Sequence, residues 1–406
     1  MQSLCVICKG RGWCGKPCPI LAKLKSFQPK VALEFSGSSP PEIFVGSYGY
    51  PKVFTGILAP AELGETSHLS MPEEWYAEKA DIVKILSYRS RLIYSRFQSS
   101  IKEIRKENGN LVKVMQEVAL ASKSTSLEFE LKKKPQLRIQ LDMHMPVIGN
   151  PAPLAKARLT QNPYIEKKVD YLTSDTDIKA GQAVQELYKA KISISSLIKI
   201  LSAGMLGLKI QRKLVPTRWA VTAVDSIISK QIIEKVKFYP KISEFLLFHS
   251  DYLGNYYEIL LLPREFSFEV IEAKMPGSVW NPQGMHTFIC ADQEGYYGRK
   301  TYASNCGGGY YAPRLAIAEY LNKMKRQASC LVMRECRPEY FAPCGVGVLR
   351  ETVRDALTKK PEHFGALEEA LTKAQTRLRL EIETFIKKSK LLYEYKTQLK
   401  LAQFLR

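Results

Sequence analysis

No run of about 18 apolar residues occurs in this sequence, so a membrane-spanning helix is not expected. The start reaches Cys5 and Cys8 without the basic, apolar and small-residue regions of a secretion signal, and a cytoplasmic location is expected. There is no internal repeat and no low-complexity linker, which sets aside solenoids and long flexible tethers. Acidic side chains are scarce: 40 Asp and Glu face 60 Lys and Arg, for a net charge of +20. A field of that sign attracts polyanions, and it points to nucleic acid ahead of an anionic membrane face. A lysine-rich surface that serves only solubility or thermal stability is the plain alternative. A regular cysteine framework is also lacking in the second half, where Cys290, Cys306, Cys330, Cys336 and Cys344 lie scattered and read as free thiols.

What is present is a foldable chain. Apolar residues make up 45% and charged residues 25%, which is globular composition, and 406 residues suffice for two or three structural units. Short apolar runs between Ile43 and Leu58, broken by Gly46, Gly49, Pro51 and Gly56, predict strands joined by tight turns. A helical period runs from Met71 to about Arg96, with Pro72 placed for a first turn. Leu127, Phe129 and Leu131, then Leu137, Ile139, Leu141 and Met143, alternate as two strands around the basic turn Lys132-Lys133-Lys134-Pro135. Residues 181–203 and 217–237 read as helices. Phe245–Phe248, Tyr257–Leu262, Phe266–Ile271 and Ser329–Met333 read as strands, and helical periods follow Pro313, Gly347 and about Pro361. The expected class is α+β, with mixed helices and mainly antiparallel strands. Its expected parts are a small motif over 1–20, a large body over 21–285, a smaller body over 286–395 and a tail over 396–406.

Residues 1–20 have neither a helical nor a strand period, so something other than a core must hold them. Cys5, Cys8, Cys14 and Cys18 place four thiols within that segment, the donor set of a tetrahedral structural zinc site. Gly10, Gly12 and Gly15 let the chain bend round an ion, and Lys9, Arg11 and Lys16 offset the charge of a tetrathiolate. An iron–sulfur cluster is the rival, since Cys14, Cys18 and Pro19 match the end of a ferredoxin run, yet five residues rather than two precede the third cysteine. Either ion fills its ligand set with cysteine, so the site is structural.

At the other end, Gln398, Leu401, Phe404 and Leu405 fit the clamp-binding peptide pattern: Gln, two of any residue, an aliphatic, two more, then an aromatic and a second apolar residue. A short 3₁₀ turn at that spacing gathers positions four, seven and eight into one apolar plug. The plain alternative is the last turn of an amphipathic helix.

Taken in order, the tetracysteine start, Phe44-Val45-Gly46-Ser47-Tyr48-Gly49-Tyr50-Pro51-Lys52-Val53, Met71-Pro72-Glu73-Glu74-Trp75-Tyr76, Gly308-Gly309-Tyr310-Tyr311-Ala312-Pro313-Arg314 and the tail resemble the archaeal Nre repair proteins over nearly the whole chain. The resemblance implies a two-part body, a zinc-binding start, a part in DNA-damage repair and the sliding clamp PCNA as partner. It supplies no catalytic residue.

Local chemistry is therefore read from the body itself. Gly307, Gly308 and Gly309 ahead of a helix present backbone N–H groups of the kind that hold phosphate, with Arg314 as a cation; the Lys and Ser/Thr of a P-loop are missing. Arg218 and Trp219 form a phosphate-and-base pair, or else Trp219 joins Val221 and Val224 on a buried face with Arg218 in an ion pair. Lys132, Lys133 and Lys134 suit backbone contact without reading sequence. Asp142, His144, His286, Asp292 and Cys306 share no triad or metal-ligand spacing. The leading expectation is a DNA-repair factor brought to DNA by the clamp. The alternatives are a nucleotide- or nucleic-acid-processing enzyme with its pocket at the glycine loop, and an RNA-binding protein.

Overall fold

The computed structural model describes residues 15, 17, 31–105, 110–135, 142 and 144–397. The tetracysteine segment, most of the strand expected over 137–143, and the tail from Gln398 onward lie outside the described residues. The chain is an α+β protein of two compact units. Of the described residues, one unit comprises those up to Ile228 together with Ala342–Val348, and the other comprises Ser229–Phe341 and those from Leu349 to Thr397. The division falls inside a helix, Thr217–Val236. The expected boundary near 285 instead separates two strands of one sheet, Ser267–Lys274 and Phe288–Glu294, which pair antiparallel from Phe288↔Lys274 to Glu294↔Phe268. No helix among the described residues is long and apolar enough to cross a membrane.

The first unit is built on β1 (Glu34–Ser39), β2 (Glu42–Val45), β3 (Lys52–Ala59), β4 (Ile93–Ser100), β5 (Thr125–Leu131) and β6 (Asn150–Leu159), in the spatial order β1-β5-β6-β4-β3-β2. All pairings are antiparallel except β4 with β6. Strand β6 carries Pro151 and Pro153, residues that cannot donate to a ladder. Both lie in its first half, which pairs only with β4; pairing with β5 begins at Leu154.

The expected single helix over 71–96 is two, α1 (Pro72–Ala77) and α2 (Ile82–Ser90), followed by β4. Lys79 takes the left-handed conformation after α1, and the Asp81 side chain accepts the Lys84 N–H to start α2. Helix α3 (Asn110–Leu120) packs Met115 and Val118 into the core with Ile43, Val53, Ile57, Leu127 and Leu154. The helix expected over 181–203 is likewise broken, after α4 (Lys167–Ser174), into α5 (Ala180–Lys189) and α6 (Ile194–Ser202). Lys191 is left-handed between them, and Ser193 caps the second. Thr217–Val236 is α7.

The second unit holds β7 (Phe245–Tyr252), β8 (Asn255–Leu262), β9 (Ser267–Lys274), β10 (Phe288–Glu294), β11 (Ser329–Cys336) and β12 (Glu362–Phe364), ordered β10-β9-β11-β8-β7-β12. Only β9 and β11 pair in parallel. Helices cover both faces of this sheet, which explains why β11 is buried at every position. Ile259, Leu261, Val270 and Val332 face α8 (Gly308–Met324), while Leu260, Leu262, Ile271 and Met333 face α10 (Leu367–Gln375), α11 (Ile382–Lys388) and α12 (Lys390–Thr397). Helix α9 is Val346–Thr358. Pro313, expected ahead of α8, lies inside its second turn. Glu269, though buried, is satisfied by the N–H groups of Lys390 and Leu391 at the start of α12 and by the Ser389 hydroxyl.

Candidate functional site

On the first unit the turn between β2 and β3 carries an uncovered aromatic group. Gly49 has a φ of +79°, and the Lys52 N–H donates to its carbonyl at 2.9 Å, so the chain reverses with Tyr48 and Tyr50 on the outside. Along β3 the pleat alternates, which turns Lys52 and Phe54 outward while Val53 and Thr55 enter the core. Arg96 on β4 lies 4.5 Å from the centre of the Phe54 ring. The Thr217 hydroxyl at the start of α7 accepts the Val45 N–H at 2.9 Å, which fixes that helix end beside the turn. Trp219 thereby meets Tyr50, with ring centres 5.3 Å apart. Tyr48 is 92% exposed and Trp219 46%, a large apolar area left in water.

The structure takes one part from each reading of these two residues: Trp219 stays outside the buried face, while Arg218 is in an ion pair. Val221 and Val224 are buried, whereas Trp219 is not. Arg218 lies 3.8 Å from Asp142, whose other oxygen is 3.4 Å from His144 Nδ1. Burial would raise the Asp142 carboxyl, but the hydrogen bond and charge of His144, and then Arg218, bring it down to about 2. Lys132, Lys133 and Lys134 are exposed just beyond β5, as expected of a basic turn. Elsewhere in this unit Glu42 stands 3.9 Å from both Arg89 and Lys199, all three buried; desolvation lowers the pKa of Lys199 despite Glu42.

In the second unit the glycine loop closes over a buried polar layer. Glu272 on β9 is paired with Arg334 on β11 and lies 3.5 Å from Lys274. Burial opposes its charge, but Arg334 and Lys274 hold its carboxyl below the ordinary range, and Glu272 in turn raises Lys274 against desolvation. A Cβ on Gly309 would overlap Glu272 Oε1, so the loop packs directly on this carboxylate. Asp292 accepts the N–H groups of Asn305 and Cys306 at 2.9 and 2.8 Å.

These contacts correct the phosphate reading of Gly307, Gly308 and Gly309. Two carboxylates border the loop, and Arg314 is not free to meet an anion. Its guanidinium forks onto Glu294 at 2.6 and 3.2 Å and donates to Ser229, with Arg314 7% exposed. Of the five scattered polar residues, the structure joins Asp142 with His144 in one unit and Asp292 with Cys306 in the other. Sequence reasoning missed Glu272, Lys274 and Arg334. The available signal was charge inside strands that are otherwise apolar, Phe268-Glu269-Val270-Ile271-Glu272-Ala273-Lys274.

Fold and surface together describe a basic, two-unit α+β protein with an aromatic, cation-flanked face and no catalytic constellation recognised among the described residues. The chain belongs to the archaeal Nre family. The archaeal Nre N-terminal description matches residues 13–281 and the C-terminal description 294–404. It is 37% identical over 388 residues to the DNA repair protein NreB of Archaeoglobus fulgidus, covering 95% of this chain and 96% of the other. It is 37% identical over 376 residues to NreA of the same organism (92% and 93%), and 35% identical over 350 residues to the DNA repair protein NreA of Haloferax volcanii (83% and 82%). The two family descriptions leave residues 282–293 between them, whereas compactness divides the chain within α7. No solved structure matches the chain.

Proposed function

We propose that this chain acts in DNA-damage repair, is carried to DNA by the PCNA sliding clamp through Gln398, Leu401, Phe404 and Leu405, and meets nucleic acid through the Tyr48, Tyr50 and Trp219 face. The names of its full-length relatives support the repair role. The observation that carries the nucleic-acid contact is the Tyr50–Trp219 pair, exposed on a chain of net charge +20, with Lys52 two positions from Tyr50 and Arg96 against the Phe54 ring on the same strand as Lys52. Aromatic rings stack on bases of any identity, and the cations hold the backbone, so the face suits unpaired nucleotides without sequence preference. Tethering by the tail raises the local concentration of a weak binder at repair sites.

Zinc fits the four thiolates of Cys5, Cys8, Cys14 and Cys18. Bound there it would hold the first residues together and leave no ligand position for catalysis.

The test combines calorimetric titration of PCNA with anisotropy of a labelled single-stranded oligonucleotide. Phe404→Ala should abolish clamp binding and leave oligonucleotide affinity unchanged. Trp219→Ala should do the reverse, weakening the oligonucleotide by about 5- to 150-fold, the equivalent of about 1–3 kcal/mol of stacking. Tight transfer-RNA binding with no clamp binding would overturn the assignment in favour of an RNA-binding protein.

A further inference from the structure

We propose that Cys290 and Cys306 form a redox-active dithiol, with Cys290 as the attacking sulfur and Cys306 as the resolving one, oxidised by a low-molecular-weight disulfide. The two residues are buried, Cys290 on the edge strand β10 and Cys306 at the start of the glycine loop, and their sulfurs are 3.7 Å apart. Cys306 is the donor to Cys290. That hydrogen bond, together with the Lys274 ammonium, lowers the Cys290 thiol against burial and against the Glu272 carboxylate, to whose Oε2 the Cys290 thiol donates at 3.7 Å, while the same bond and burial push the Cys306 thiol well up. The Cys290 thiol is thus the more easily deprotonated of the two, the asymmetry that thiol–disulfide exchange uses.

In the reaction the Cys290 thiolate attacks one sulfur of the oxidant, forming a mixed disulfide and expelling the other half as thiolate. Cys306 then loses its proton and displaces the remaining half from Cys290. Two protein thiols are oxidised to one disulfide, and the oxidant is reduced to two thiols.

A soft divalent metal is the competing occupant, because Glu272, Cys290 and Cys306 place three ligand atoms within 4.8 Å of one another. The charges argue against it. Arg334 and Lys274 already engage the two Glu272 oxygens, and a dication would enter beside two buried cations.

The experiment treats the full chain, folded and reduced, with oxidised glutathione, alkylates the remaining thiols and maps tryptic peptides. The expected product joins residues 275–299 to residues 301–314, is reversed by dithiothreitol, and leaves Cys330, Cys336 and Cys344 alkylated. Lys274→Met should slow its formation, because the ammonium that lowers the Cys290 thiol is lost. Free Cys290 and Cys306 after exposure that oxidises other thiols would overturn the proposal. A zinc ion lost from the full chain on Cys290→Ser would overturn it as well, assigning the pair to metal.

Discussion

Gly309→Ala should be strongly destabilising although it adds one methyl group. The added Cβ would overlap Glu272 Oε1 and lie 2.9 Å from Glu272 Cδ and 3.3 Å from Arg334 Nη1. A carboxylate at the end of a free side chain would swing aside at little cost. Glu272 cannot do so, because Arg334 and Lys274 hold it and all three are buried. Relief therefore requires either moving the start of α8 off the sheet or loosening a buried ion pair. Overpacking costs about 1–3 kcal/mol and breaking a buried pair about 3–5 kcal/mol, so a loss of about 3 kcal/mol is expected. Gly181→Ala provides the control. Gly181 lies in α5 with nothing within 4 Å of a new Cβ, and the same substitution should there stabilise by about 0.5–1 kcal/mol. Urea unfolding followed by circular dichroism and tryptophan fluorescence measures both. Equal midpoints for Gly309→Ala and wild type would refute the close packing of the glycine loop on Glu272.

Asp142 titrates near 2 in the folded chain against an ordinary 3.8, so its ionised form contributes about 2 kcal/mol that is fully present above pH 4 and lost as the pH falls through 2. Asp142→Asn should flatten the acid limb of a stability-versus-pH curve, and an unchanged limb would contradict the pairing of Asp142 with His144 and Arg218. Arg314→Met leaves Glu294 buried without its cation and should cost about 3–5 kcal/mol in thermal or urea unfolding. Loss of nucleotide binding by a still-folded Arg314→Met protein would instead return the loop to the phosphate reading.

Much of the second sheet was legible because its strands are long apolar runs bounded by Gly254 and Pro263, and both sheet faces are covered. The strand signal failed where pairing overrode composition. Asn150–Leu159 has two prolines and was not read as a strand, yet its paired neighbours use the half without them for one ladder and the half with them for the other. The break between α1 and α2 rests on one left-handed lysine, a conformation that apolar periodicity does not register. The same limit applies to the sites. Arg218 and Trp219 stood out as a cation and an aromatic, but their meeting with Tyr50 depends on the hydrogen bond from Val45 to Thr217, 172 positions apart in sequence. Cys290 and Cys306 looked scattered because a strand and a loop separate them; the register of β10 on β9, which sets Cys290 opposite Glu272, brings them to one place.

The buried charges bear on where the net charge resides. Inside the first unit Glu42 faces Arg89 and Lys199; inside the second, Glu272 faces Arg334 and Lys274, Glu294 faces Arg314, and Glu335 faces Arg337. Glu258, also buried, is held by the half-exposed Arg377. Each interior draws on both signs, as buried ions must. Among the described residues the interior takes up nearly equal numbers of the two signs, so the excess of cations there is left on side chains that water and ligands do meet. A surface so biased binds a phosphate backbone by releasing counterions, so oligonucleotide affinity should fall steeply and linearly in logarithmic plots against salt, while Trp219→Ala shifts that line downward without changing its slope. A slope that changed with Trp219→Ala and not with removal of Lys52 and Arg96 would place the electrostatic contact elsewhere.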